Sequence, residues 1–211
     1  MHKSLFASLA LLLFCVSFSF GQPGTKPEDQ PFLMVVEDTF YMNGIGSIAI
    51  GTVERGTINN NDSVELVGVH PTKQSTARMV TDMGGTVASA KPGDKINMIL
   101  KGVDKTEVER GQVVAKPGSI KGVTKFKATF DVAPAADGGR TVADEFRPLI
   151  DLRTASVSGT FALAAPVNAG TKGNSTTITL ASIAPVEKGQ SFKIRYLGKT
   201  VGTGTVTEII E

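Results

Sequence analysis

Apolar and polar residues alternate in many short runs of this chain, and turn residues separate the runs. The clearest run is residues 126–132 (FKATFDV), in which every second residue is apolar. Residues 63–69 (SVELVGV) follow a similar pattern after the turn cluster at residues 59–62 (NNND), where Asn and Asp tolerate left-handed backbone. Strict alternation is typical of a strand with one buried face, so the pattern predicts β-strands.

The predicted strands fall into two groups on either side of the break Lys116-Pro117-Gly118. Further runs of strand length lie at residues 47–53, 96–100, 112–115, 149–152, 157–163, 176–183, 192–196 and 200–208. Runs at roughly ten-residue spacing indicate a sandwich or barrel, and no stretch beyond the N-terminal segment has a convincing helical period. We therefore expect an all-β chain with two domains of about 90 residues each.

The first 21 residues have the three-part pattern of a secretory signal peptide. His2 and Lys3 precede an apolar run at residues 5–20, and Ser19 and Gly21 are the small residues that signal peptidase needs. The run has about 16 residues, which is short of the roughly 20 needed to span a bilayer as an anchor. We predict cleavage between Gly21 and Gln22, export to the periplasm or the exterior, and no membrane span in the mature chain.

Residues 22–30 (QPGTKPEDQ) contain Pro, Gly and charged residues without an apolar period, so we expect a flexible leader. The single cysteine, Cys15, lies within the predicted signal peptide. Its removal leaves a mature chain with no cysteine, which excludes disulfides, thiol catalysis and cysteine metal sites.

Composition narrows the function classes further. The 22 basic and 20 acidic residues give a formal charge of +2, which argues against binding nucleic acid by charge alone. The hydrophobic content of 41% is enough for ordinary cores and too high for a disordered chain. The 23 glycines and the 6% aromatic content favour a β protein over a helical bundle.

Several motifs resemble a known family. Residues 31–40 (PFLMVVEDTF), 44–47 (GIGS), 51–56 (GTVERG) and 107–118 (EVERGQVVAKPG) resemble the second domain of elongation factor Tu. Residues 138–140 (GGR), 146–148 (FRP), 153–154 (RT) and 199–204 (KTVGTG) resemble its third domain, in the expected order. The resemblance implies two antiparallel β-barrels in tandem, packed side by side, at residues 31–118 and 119–211.

The GTPase chemistry of that family is not found in the sequence. No G-x-x-x-x-G-K-[ST] loop and no Asn-Lys-x-Asp string occurs in the 211 residues. Residues 82–85 (DMGG) match the short D-x-x-G signature, but they lie inside the first predicted barrel and have no phosphate loop to serve. Only residues 22–30 separate the predicted cleavage point from that barrel. We therefore expect no GTPase domain, no enzymatic activity and no cofactor.

The resemblance also places one candidate ligand surface, the degenerate acceptor-end pocket. In the family, the second domain holds the aminoacyl end of tRNA with a Glu, an aromatic residue and a basic residue close together. Here Thr81, Met83 and Gly84 stand at those positions, with Asp82 between them, and Lys95 replaces a family Asn. Losing stacking and charged contacts costs about 1 to 3 kcal/mol each, so the resemblance argues against aminoacyl-tRNA binding.

Two smaller features favour structural roles. His70 is the only histidine after the predicted cleavage point, and a lone histidine favours a surface residue over a catalytic or metal site. Lys121, Lys125 and Lys127 form a basic group, which either contacts an anionic partner or forms the polar face of a strand. The alternation of Lys125 and Lys127 with Phe126 favours the strand.

Three functions remain in competition. The first is a non-catalytic exported module that binds another protein, a cell-surface polymer or a second copy of itself. The second is a translation elongation factor-like protein that binds tRNA or a partner GTPase supplied in trans. The third is an enzyme of unrecognised type. If no GTPase domain covers the barrels, we expect polar residues on the face left open, or a homo-oligomer.

Overall fold

A computed structural model describes residues 26–80 and 85–210. The predicted signal peptide, residues 22–25 of the predicted leader, and the candidate residues Thr81, Asp82, Met83 and Gly84 lie outside the described residues. The regular secondary structure of the described part consists of β-strands and two short 3₁₀ helices, at Pro27–Asp29 and Ala135–Asp137. The all-β prediction is therefore confirmed.

The first half of the chain forms a closed six-stranded antiparallel barrel. Its strands are β1 (Leu33–Met42), β2 (Gly46–Arg55), β4 (Ser63–Val67), β5 (Lys73–Val80), β7 (Lys95–Leu100) and β8 (Val113–Ala115), and β3 (Ile58–Asn59) pairs with β6 (Ser89–Ala90) in a small ribbon. The order around the barrel is β1-β2-β7-β5-β4-β8. Closure pairs every barrel strand on both sides, so this barrel has no open sheet edge.

The second half forms another closed six-stranded antiparallel barrel. Its strands are β9 (Lys121–Val132), β10 (Leu149–Leu152), β11 (Ala155–Ala162), β12 (Asn174–Val186), β13 (Ser191–Tyr196) and β14 (Lys199–Ile209). The order around the barrel is β10-β11-β12-β9-β14-β13. Two antiparallel barrels in tandem are therefore the architecture that the sequence predicted.

Each barrel has its own apolar core, and the two cores differ in composition. Met34, Met79 and Met98 are fully buried in the first barrel among aliphatic residues. Phe130 and Phe161 are fully buried in the second, where their rings meet edge to face with centroids 5.2 Å apart. Edge-to-face contact is a favoured aromatic geometry. Closed cores of this kind make each barrel a rigid support for its outer surface.

A third buried cluster lies on the outside of the first barrel. Leu33, Val67, Val113 and Ala115 are almost completely inaccessible, although their neighbours Met34, Leu66 and Val114 fill the barrel interior. Successive residues of a strand point to opposite faces, so this cluster faces outward on β1, β8 and β4. Ile120, just before β9, joins the cluster. The outer face of the first barrel at β1, β8 and β4 is thus buried beside the start of β9, the first strand of the second barrel.

Candidate functional site

The junction between the barrels is closely packed. A Cβ atom added at Gly111 would lie 3.1 Å from the Cα of Ala155, which is in the other barrel. A Cβ atom added at Gly122 would lie 3.6 Å from Val67 Cγ1. The Thr154 hydroxyl donates a hydrogen bond of 2.8 Å to the backbone carbonyl of Val36. These contacts, together with the outward apolar cluster, hold the two barrels in one orientation.

Charged side chains cross the same junction. Arg153 of the second barrel donates from Nε to Glu54 Oε2 of the first barrel at 2.7 Å and from Nη2 to Glu54 Oε1 at 3.1 Å. Arg55 of the first barrel donates to Glu187 of the second at 2.6 Å, and Arg153 also contacts Glu187. Both arginine side chains are mostly buried. Arg153 therefore ties its own barrel to the neighbouring one.

Burial and pairing set the charge states in this network. Burial disfavours the ionised form of Glu187, but the hydrogen bond from Arg55 and the charges of Arg153 and Arg55 hold its pKa below the usual value. For Arg153, burial disfavours the cation, but Glu54 and Glu187 keep its pKa above the ordinary value. Glu187 and Arg153 are therefore both charged at neutral pH.

A buried carboxylate fixes the segment that links the barrels. Glu65 on β4 is almost inaccessible, and its Oε1 accepts a hydrogen bond of 2.9 Å from the backbone N–H of Gly118. Its Oε2 accepts a bond of 3.0 Å from Gln74 Nε2 on β5. Because Gly118 lies in the Lys116-Pro117-Gly118 link, Glu65 anchors the exit from the first barrel.

Lys95 is the one candidate pocket residue that the structure describes. Its Nζ lies 3.1 Å from Glu37 Oε2, and Glu37 Oε1 accepts a 2.7 Å hydrogen bond from the Thr52 hydroxyl. The hydrogen bonds from Thr52 and Lys95 hold the pKa of Glu37 below its usual value. Lys95 is thus part of a polar ladder across β1, β2 and β7.

A groove of about 910 Å³ lies beside the junction. Its floor is the outer polar face of β9, β14 and β13, and its rim includes Arg110 of the first barrel and Arg153 of the second. Residues lining the floor include Thr129, Asp131, Ser191, Lys193, Thr203 and Thr205. Sequence reasoning missed this groove, although threonine at every second position in residues 203–207 indicated one polar face of a strand.

Comparison with known protein families gives one match for each barrel. Residues 46–115 match the family model of elongation factor Tu domain 2. Residues 119–210 match the model of the elongation factor Tu C-terminal domain. The two barrels belong to the elongation factor Tu family. The resemblance inferred from the motifs is therefore confirmed, and neither match is to the GTPase domain of the factor.

The elongation factor Tu-like barrels expose few large apolar side chains within the described residues. The exposed ones are Phe40, Tyr41, Met42, Ile45, Leu149, Leu197 and Ile210. Four of them lie in the hairpin that joins β1 and β2, and Ile45 stands in the turn of that hairpin. Most residues that line the groove, by contrast, carry hydroxyl or charged side chains.

His70 and Lys127 of the basic group have specific partners in these barrels. The Nε2 atom of His70 lies 3.1 Å from Glu109 Oε1, and both side chains are partly exposed. Lys127 pairs with Glu208 at 2.9 Å on the outside of the second barrel, and Phe126 points into its core. The interpretation of Lys127 as part of a polar strand face agrees with this arrangement.

Residues 26–80 and 85–210 contain neither a metal-binding cluster nor a membrane-spanning helix. In this part of the chain, no group of three or more His, Cys, Asp or Glu residues is arranged to hold a metal ion. None of the helices described there is long and apolar enough to cross a bilayer.

Proposed function

We propose that this chain is a non-catalytic exported binding module built from the second and third domains of the elongation factor Tu family. The observation that carries the proposal is the intact barrel pair, whose junction is fastened by the Arg153–Glu54 and Arg55–Glu187 pairs. A rigid junction keeps an extended surface in place without a catalytic domain. The signal-like segment at residues 1–21 supports export.

The partner of this module is proposed to be a protein, a cell-surface polymer or a second copy of the chain. The polar groove supports a hydrophilic partner, and the apolar hairpin at Phe40, Tyr41, Met42 and Ile45 supports a second copy or another protein. Light scattering of the purified mature chain distinguishes self-association from a monomer that awaits another partner.

Nucleotide hydrolysis tests the non-catalytic part of this proposal. The purified mature chain is incubated with GTP and magnesium, and full-length elongation factor Tu serves as the positive control. Phosphate release equal to that of a protein-free blank is expected. Release that follows the concentration of the purified chain would contradict the proposal.

The alternative is a translation elongation factor-like protein that binds tRNA or a partner GTPase. The two family matches favour this alternative. Against it stand the departures at Thr81, Met83, Gly84 and Lys95, and Lys95 is already paired with Glu37. Filter binding of aminoacyl-tRNA at about 0.15 M salt decides between the two. Retention at micromolar protein favours the alternative, and no retention favours the exported module.

A further inference from the structure

The loop that joins β1 and β2 contains the one Asn-Gly sequence of the chain. Gly44 follows Asn43, whereas every other asparagine is followed by a residue with a side chain. The amide carbon of an asparagine side chain can be attacked by the backbone nitrogen of the next residue, and a Cβ atom on that residue obstructs the attack. Glycine has no Cβ atom. Asn43 therefore has the highest intrinsic reactivity among the asparagines of this sequence.

This loop extends past the strands of the first barrel. The strands β1 and β2 pair as far as Met42 and Gly46, and β7 pairs with β2 only as far as Ser47. Asn43 and Gly44 are both exposed. A Cβ atom added at Gly44 would have no heavy atom within 4 Å, apart from those of its chain neighbours. Solvent therefore reaches both reacting groups, and no neighbouring element holds them apart.

Neither reacting group forms a hydrogen bond within residues 26–80 and 85–210. The side-chain amide of Asn43 has no partner there, and the N–H of Gly44 donates to no carbonyl there. The turn is closed by a 3.0 Å hydrogen bond from the N–H of Ile45 to the carbonyl of Met42, which uses neither group. The loop therefore needs to break only this hydrogen bond to rearrange for the attack, and exposed loop tips open at little cost in free energy.

We propose that Asn43 is a site of spontaneous deamidation, which gives the hairpin a negative charge. The backbone nitrogen of Gly44 bonds to Cγ of Asn43 and loses its proton, and the side-chain nitrogen of Asn43 departs as ammonia. One water molecule then opens the resulting cyclic imide at either of its two carbonyl groups, which leaves aspartate or isoaspartate. Nothing is oxidised or reduced, and water is the only co-reactant.

The product changes the charge of the hairpin at a defined place. Residues 39–53 contain no charged residue, and the large apolar side chains exposed around the turn are Phe40, Tyr41, Met42 and Ile45. Deamidation therefore places a carboxylate among these side chains. The inference goes beyond the proposed function, because the reaction requires neither export nor a partner.

Peptide mapping by mass spectrometry tests the proposal on the purified, folded chain. The chain and a synthetic peptide of residues 40–46 are incubated at neutral pH and physiological temperature, and aspartate and isoaspartate at position 43 are measured over time. We expect the folded chain to react within about tenfold of the peptide's rate, because the fold adds the cost of about one hydrogen bond. A rate in the folded chain that lies further below that of the peptide would overturn the proposal.

Asn168 is the matched control within the same chain. It is also exposed in a loop, but Ala169 follows it, and its Oδ1 accepts a hydrogen bond of 3.3 Å from the Thr141 hydroxyl. Asn168 should therefore remain unconverted while Asn43 reacts. Equal conversion of the two asparagines would overturn the assignment of the reaction to this loop.

The variant Asn43→Gln supplies a second control. It keeps an uncharged amide at an exposed position, and its longer side chain would have to close a larger, less favoured ring. We expect this variant to lose the isoaspartate that accumulates in the wild-type chain. Undiminished isoaspartate in the variant would place the reaction at another residue and contradict the proposal.

Discussion

Arg153 and Glu54 form a two-point ion pair between residues that lie in different barrels. Both bonds are of ordinary hydrogen-bonding length, 2.7 Å from Nε and 3.1 Å from Nη2. Arg153 adopts this position with a positive φ of 52°, a conformation that is uncommon for a residue other than glycine. The guanidinium group also donates to the Pro185 carbonyl and to Gln190. The Arg153 side chain therefore joins a turn of the second barrel to the end of β2 in the first barrel.

Replacing Arg153 with Ala should destabilise the chain by about 2 to 3 kcal/mol, because half-buried Glu187 loses one of its two cationic partners. Urea unfolding followed by fluorescence or circular dichroism measures the loss. Arg147→Ala is the control, since Arg147 and its partner Glu145 are both largely exposed. Equal free energies of unfolding for the two variants would show that the junction ion pair stabilises the fold no more than an exposed surface pair does.

Acid should weaken the junction through Glu187. Its folded-state pKa lies below the usual 4.5, so its ionised form stabilises the fold above that pH. This contribution is lost as the pH falls from about 4.5 through the lower folded-state pKa. Urea midpoints measured across the acid range should fall more steeply for the wild type than for Glu187→Gln. Parallel curves for the two proteins would rule out this source of acid sensitivity.

Glycine at position 111 is needed for the close approach of the barrels. Gly111→Ala places a methyl group against the backbone of Ala155 and also strains a φ of 100°, so we expect a loss of about 2 to 3 kcal/mol. Gly102→Ala is the matched control, because Gly102 has a φ of 74° and open space around it. The control should lose about 1 kcal/mol. A comparable loss in both variants would mean that Gly111 matters for its φ alone.

Removing the carboxylate of Glu65 should loosen the link between the barrels. Glu65→Ala leaves the N–H of Gly118 and the amide of Gln74 without this acceptor, and we expect a cost of about 1 to 3 kcal/mol. Limited proteolysis should also cut more readily near Gly118. Ser63→Ala, at an exposed position on the same strand, should change neither property.

The sequence predicted a strand correctly where one face of the strand is buried and the other is exposed to solvent, because apolar and polar residues alternate there. Residues 149–152 and 192–196 were predicted to within one residue of β10 and β13. β1 was not predicted as a strand, because apolar residues on its two faces make Leu33–Val36 a continuous run. β5 was also missed, because KQSTARMV contains few strand formers and is held by its neighbours β4 and β7.

The junction could not be predicted in the same way. Glu54 and Arg153 are 99 residues apart in the chain, and nothing local to either residue indicates its partner. The outward cluster at Leu33, Val113 and Ala115 consists of apolar residues like those of a barrel interior, so the sequence does not show which of them face outward. The groove likewise depends on the register of β9, β14 and β13, which alternation alone does not fix.

Mass spectrometry of the N-terminus from fractionated cells tests the exported module most directly. The proposal predicts a chain that begins at Gln22 and is recovered outside the cytoplasm. A chain that retains residues 1–21 and is recovered from the cytoplasm would contradict it.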